Sequence, residues 1–172
     1  MPLRKPTDSL RVPNARKKNI EVFKNTIPQQ KPPKIEYNCF FFFNYDKTER
    51  KQFLSLKIES VLSFSSFSYE ISTELQRKGS SVDIGILGLT TQVNNAPLET
   101  KASKIINFDD LFGELTINII KYDGCENTCK IKFNLYEKNI EIIETSVTEK
   151  TNNRIFCNFI IAKYLNTFSN DI

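Results

Sequence analysis

The amino-acid sequence predicts an all-β protein: an antiparallel β-sandwich of about eight strands with an extended N-terminal arm that contains one short helix. Two partitions and one change of period predict it. Six of the seven prolines (Pro2, Pro6, Pro13, Pro28, Pro32 and Pro33) fall within the first 33 residues, and all five glycines fall after residue 78. Residues 1–36 carry nine Lys/Arg against three Asp/Glu, whereas residues 37–172 carry fifteen against seventeen, so the basicity behind the overall charge of +4 belongs to the arm. From residue 37 apolar residues recur with period two, which places one face of an extended segment on a core and the other in water. Two units result: a basic, proline-rich arm over residues 1–36 and a β domain over residues 37–172.

Proline fixes φ and removes a backbone donor, so the arm cannot enter a sheet interior and tends to run extended. Residues 14–27 are the exception. Asn14 can cap a helix start, Pro28 stops it, and Ile20, Phe23 and Ile27 share one helical face. So short a helix is marginal alone in water and needs a surface under its stripe. Either the chain's own domain or a groove on a partner can supply that surface.

The strands follow in order. Phe67–Leu75 and Cys129–Leu135 alternate without a break, and Val82–Leu89, Glu114–Tyr122 and Ile140–Val147 are further candidates. Tyr37–Phe43 and Arg154–Leu165 are apolar on both faces, as covered strands are. Phe53–Ser60 completes the set, although Leu54, Ile58, Val61 and Leu62 also fit helical spacing across Lys51–Leu62. Turns are predicted at Arg77–Ser80, Asn94–Pro97, Asp123-Gly124 and Asn152-Asn153. Ile105–Gly113 reads as a turn, or a single helical turn capped by Asn107.

Composition argues against catalysis. With no histidine there is no Ser-His-Asp or Cys-His arrangement and no His-ligated metal. Asp109-Asp110 is the most obvious acidic pair, but adjacent carboxylates point apart, and no glycine-rich phosphate loop occurs. No catalytic residue, metal site or cofactor is therefore assigned. Of Cys39, Cys125, Cys129 and Cys157, only Cys125 and Cys129 lie close together, as Cys-x₃-Cys. Core packing suits them best, with a disulfide or zinc as the alternatives. The absence of a signal-like apolar run or a transmembrane stretch leads to the expectation of an intracellular, cytoplasmic protein.

Lys51–Ser60 and Phe67–Leu75, with Asn107–Ile117 before the next strand Cys129–Glu137, resemble the calcium-independent, N-terminal type of C2 β-sandwich. That resemblance implies a scaffold or membrane-docking module. Calcium ligation is not implied for any residue, because the sequence contains no Asp-x-Asp.

The functional expectation is a non-catalytic structural or accessory subunit of a larger assembly, anchored to other protein subunits through Ile20, Phe23 and Ile27. Two alternatives stand beside it. Arg4, Lys5, Arg11, Arg16, Lys17, Lys18 and Lys24 could track the phosphates of RNA or DNA, as the arms of ribosomal and packaging proteins do. The C2 resemblance suggests a peripheral membrane or trafficking adaptor.

Overall fold

The computed structural model describes residues 15–92 and 99–169. Among them, helix α1 (Ala15–Asn25) precedes β1 (Tyr37–Asp46), β2 (Lys51–Phe64), β3 (Ser68–Lys78), β4 (Ser81–Gln92), β5 (Thr100–Phe108), β6 (Phe112–Lys121), β7 (Glu126–Asn134), β8 (Asn139–Val147) and β9 (Cys157–Ile161). A 3₁₀ turn spans Lys163–Leu165. The all-β class and the short helix agree with the expectation. The two packed sheets do not appear. All nine strands join one mixed sheet, ordered β8-β7-β6-β4-β3-β5-β2-β1-β9, that curls nearly into a barrel. Alternation dictates which side chains face inward and is silent on pairing, so it could not foresee the parallel pairs β1/β9, β3/β5 and β4/β6.

The interior holds Phe41, Phe43, Leu54, Leu56, Ile58, Ile84, Ile117 and Ile131 among others, all buried. Cys39, Cys129 and Cys157 also belong to this core, and all four thiols are free. Burial pushes the Cys129 thiol up to about 12 and raises Cys157 well above its ordinary value, so these sulfurs pack as neutral apolar atoms.

Three predicted elements change. β2 is a strand through all fourteen residues, so the helical alternative over Lys51–Leu62 is not realised. The segment predicted as Arg154–Leu165 is strand only over Cys157–Ile161. Residues 100–108 form β5, where no strand was expected, and Asn107 lies within it, accepting a bond from Ser55 Oγ at 2.7 Å in place of capping a helix. β5 hides its own alternation. Lys104 pairs with core residue Ile58, while its neighbour Ile105 faces water at 50% exposure. Lys104 leaves the core side by reaching Glu70 at 2.5 Å, where β3 and β5 share a single bridge, Glu70 with Ser103. Beyond that bridge β3 is tied to the turn after β5 by a two-pronged contact from Arg77 to Asp110, at 2.6 and 2.7 Å. The turn predicted at Asn94–Pro97 lies outside the described residues.

The sheet does not close through its backbone. β8 and β9 are its two edges, and they meet along a seam. At one end of the seam Asn127 of β7 is a clamp. Its Oδ1 accepts the N–H groups of Phe156 (2.8 Å) and Cys157 (2.9 Å), while its Nδ2 donates to Arg154 O (2.9 Å). At the other end Lys138, in the β7–β8 turn, sits 4.1 Å from the ring centroid of Phe168.

α1 crosses the outer face of β3, β4 and β6. Ile20, 1% exposed, seats on Gly85 of β4, where a Cβ would come within 3.1 Å of Ile20 Cγ1. From there the chain runs as a strap to β1. Lys150 Nζ fastens the helix end by donating to Lys24 O (2.7 Å), Phe23 O (3.3 Å) and Gly124 O (2.8 Å). The amide of Asn152 donates to Pro28 O, and Val61 N donates to Glu36 O.

Candidate docking site

Where the strap meets the sheet, a hollow of about 450 Å³ opens between Ile35, Tyr37, Val61, Leu62, Phe64 and Leu89. The local cause is a break in the β2–β5 ladder. The register follows Glu59 with Ser103, then resumes at Ser63 with Lys101, so three residues of β2 face one of β5. Such a bulge bends the strand and redirects side chains. Here it turns the consecutive apolar pair Val61 and Leu62 out of the core, at 41% and 62% exposure. Ser60 mends the interrupted ladder: its Oγ accepts from Ala102 N at 3.0 Å and donates to Leu62 O at 2.7 Å.

Aromatic rings extend this surface. Phe64 lies 4.8 Å from Tyr69, and Tyr69 lies 6.4 Å from Phe67, which is itself 61% exposed. Burial, followed by the Glu36 carboxylate, pushes the Tyr37 phenol up to about 12, so it stays a neutral group in the hollow wall. Lys34 stands among the lining residues with no ion pair among the described residues. Contiguous exposed apolar surface of this kind, with a charged rim, makes the hollow the candidate site. The signal in the sequence was Val61-Leu62, an apolar pair running past the alternation between Ser60 and Ser63.

Behind the hollow a charge cluster pins the strap. Lys121 and Arg154, each with a side chain only 6% exposed, face Glu36 and Asp123. Lys121 Nζ binds both Glu36 oxygens at 2.8 and 2.7 Å and lies 5.3 Å from the Phe156 ring centroid. Arg154 Nη2 donates to Asp123 Oδ2 at 2.7 Å. Two cations against two anions make the cluster neutral, and its role is to fix where the strap joins β1.

Burial alone would raise the Asp123 carboxyl. The Cys125 N–H, the Arg154 guanidinium and Lys121 outweigh that and hold it below the usual carboxylate range. The sign follows from linkage: a lowered folded value stabilises above the unfolded value of about 4, and the contribution is lost as pH falls through the folded value. Asp123→Asn is therefore expected to flatten the acid limb of stability below about pH 4, read from midpoints of urea unfolding at stepped pH. An acid limb as steep as in the parent chain would remove Asp123 as its source.

The residues proposed from sequence do not all converge. Ile20 is buried on Gly85, Phe23 is half-buried beside it, and Ile27 lies beyond the end of α1 at 66% exposure. Lys24 Nζ is engaged by Asp83 Oδ2 at 2.6 Å, and Asp83 is held in turn by Asn118. Arg4, Lys5 and Arg11 lie outside the described residues, as do the side chains of Arg16, Lys17 and Lys18. No group of three metal-ligating side chains occurs among the described residues, and no described helix is long and apolar enough to cross a membrane. Compared with protein-family models, curated proteins and solved structures, the chain matches none.

Proposed function

We propose that this chain is a non-catalytic binding module of a larger protein assembly, and that it docks through the hollow beside Val61 and Leu62. The exposed apolar pair in that hollow carries the reading. A bulge stabilised by Ser60 holds two large apolar side chains in water, an arrangement that makes sense when a partner covers them. The fitting partner is a protein surface that presents an apolar side chain, with a carboxylate opposite Lys34. The arm belongs to the same design, because Ile35 and Tyr37 form one wall of the hollow and anchoring the strap shapes it. Four free, buried thiols support a reducing, intracellular setting.

Leu62→Asp together with Leu89→Asp is expected to abolish recovery of partner subunits with the full-length chain while leaving its thermal midpoint within a few degrees. Both residues are already exposed, so loss of binding would not arise from unfolding. Undiminished recovery by the double variant would refute the docking site. Nucleic acid retained equally by parent and variant would support the alternative, a phosphate-tracking arm.

A further inference from the structure

β2 outruns its neighbour. β1 begins at Tyr37 opposite Ser60, whereas β2 continues to Phe64, so the end of β2 has β5 on one side and no strand on the other. Continuing the β1 register backwards would set Lys34 opposite Ser63 and Pro33 opposite Phe64. The chain does not continue it. Pro32 and Pro33, with φ fixed at about −65°, take the strap out of the extended line that a ladder needs. The backbone bond that ends the pairing runs from Val61 N to Glu36 O, at 2.9 Å. Beyond it the hollow of about 450 Å³ opens between the departing strap, at Lys34 and Ile35, and the end of β2, at Val61, Leu62 and Phe64. A further strand beside β2 would run there.

The open side of β2 is a backbone edge. Val61 N–H faces the strap, while Leu62 O faces the other way, toward Ser60 Oγ and the N–H of Ala102 on β5. By alternation Ser63 turns its N–H and C=O to the open side, where no backbone hydrogen bond joins residues 62–64 to the strap among the described residues. A partner that covers such groups must also supply their hydrogen bonds. Of the two charged residues on the hollow wall, Glu36 is taken by Lys121, and Lys34 has no ion pair among the described residues, so the wall is left positive. Resting on the docking role of the hollow, we propose that the partner enters it as an extended segment that adds a short strand to the Val61–Phe64 edge. Its backbone pairs with Ser63, its side chains on the hollow side are apolar and lie against Leu62, Phe64 and Leu89, and an acidic residue stands beside Lys34. Main-chain pairing then supplies affinity, and the apolar hollow supplies selectivity.

The test uses the full chain, isotope-labelled for its amide resonances, and a short capped peptide in which isoleucine alternates with threonine and glutamate. A saturable shift centred on the Val61–Phe64 amides is expected, with slower hydrogen exchange at Ser63 N–H. Two isomers of the peptide carry N-methyl groups at alternate residues, one set along each edge of the extended backbone. One isomer should bind like the parent peptide and the other about ten-fold more weakly, since only one edge faces β2. Isomers of equal affinity, or no saturable shift with the parent peptide, would overturn strand addition. If the Leu62→Asp, Leu89→Asp chain nevertheless loses its partner subunits, the hollow stands as a docking site for a folded surface and only the extended occupant falls. Peptide binding that weakens as protein concentration rises would identify a second copy as the occupant, and would overturn the proposal as well.

Discussion

Asn127→Leu is expected to destabilise the barrel by about 3–5 kcal/mol, the largest effect of any single change outside the apolar core. Asn127 is 2% exposed, and its amide completes three backbone groups: Arg154 O, Phe156 N and Cys157 N. Leucine keeps the branched shape, with two bulkier methyl groups in place of the amide, and all three backbone groups lose their partner in a buried place. Each orphaned group costs about 1–3 kcal/mol, and partial opening of the seam to solvent lowers the sum. Asn127→Asp separates the contributions, since it keeps the acceptor for the two N–H groups and loses only the donor to Arg154 O. The leucine variant should show the larger fall in urea midpoint, with an unchanged slope if the native state stays compact. Equal losses in the two variants, or a loss below about 1 kcal/mol for leucine, would mean that the clamp does not hold the seam.

Gly124→Val is expected to cost about 3 kcal/mol and to release the strap. Two separate penalties meet at this residue. Its φ of +90° lies in the region that residues bearing a Cβ avoid. A Cβ there would also stand 2.1 Å from Thr26 O, so the helix end would have to lift away. Lifting it breaks the three-carbonyl contact of Lys150 and unseats Pro28, but it leaves the backbone strain in place. The expected signature is tryptic cleavage at Lys24 and Lys34 at protease concentrations the parent chain resists, together with a lower thermal midpoint. Ile20→Asp should reproduce the cleavage with a smaller stability loss, because it detaches the helix without touching the turn. A strap that stays protected in both variants would mean that neither residue holds it.

The position of the helix and most strands were legible because each rests on local rules. Proline placement, a capping residue and a period of two are written in consecutive residues. β5 was not legible, because Lys104 stands on its core side and Ile105 on its wet side, and that inversion is tolerated only through Glu70 on a different strand. The single sheet was not legible either. Its parallel pairs join segments far apart in sequence, and nothing in Cys157–Ile161 names Tyr37–Phe41 as its partner. The hollow was not legible: Val61 and Leu62 read only as part of a helical spacing with Leu54 and Ile58, and their exposure depends on a register break visible only against β5. The charge cluster escaped altogether, since Glu36, Lys121, Asp123 and Arg154 are ordinary surface residues until the strap covers them.

The seam has one more consequence. Ala162 N donates to Phe41 O, and Tyr37 N to Phe156 O, so the even-numbered residues of this segment turn their backbone groups toward β1. By alternation, Phe159 and Ile161 aim theirs at β8, which forms no ladder with β9. A cylinder closed by main-chain bonds resists opening equally all round. This one is laced by side chains along a single line, so thermal opening, invasion by a foreign strand and exchange of β9 between two copies would all begin there. Asn127 and Lys138 act as the laces, and changes at those two residues set how readily the cylinder becomes a flat, self-associating sheet.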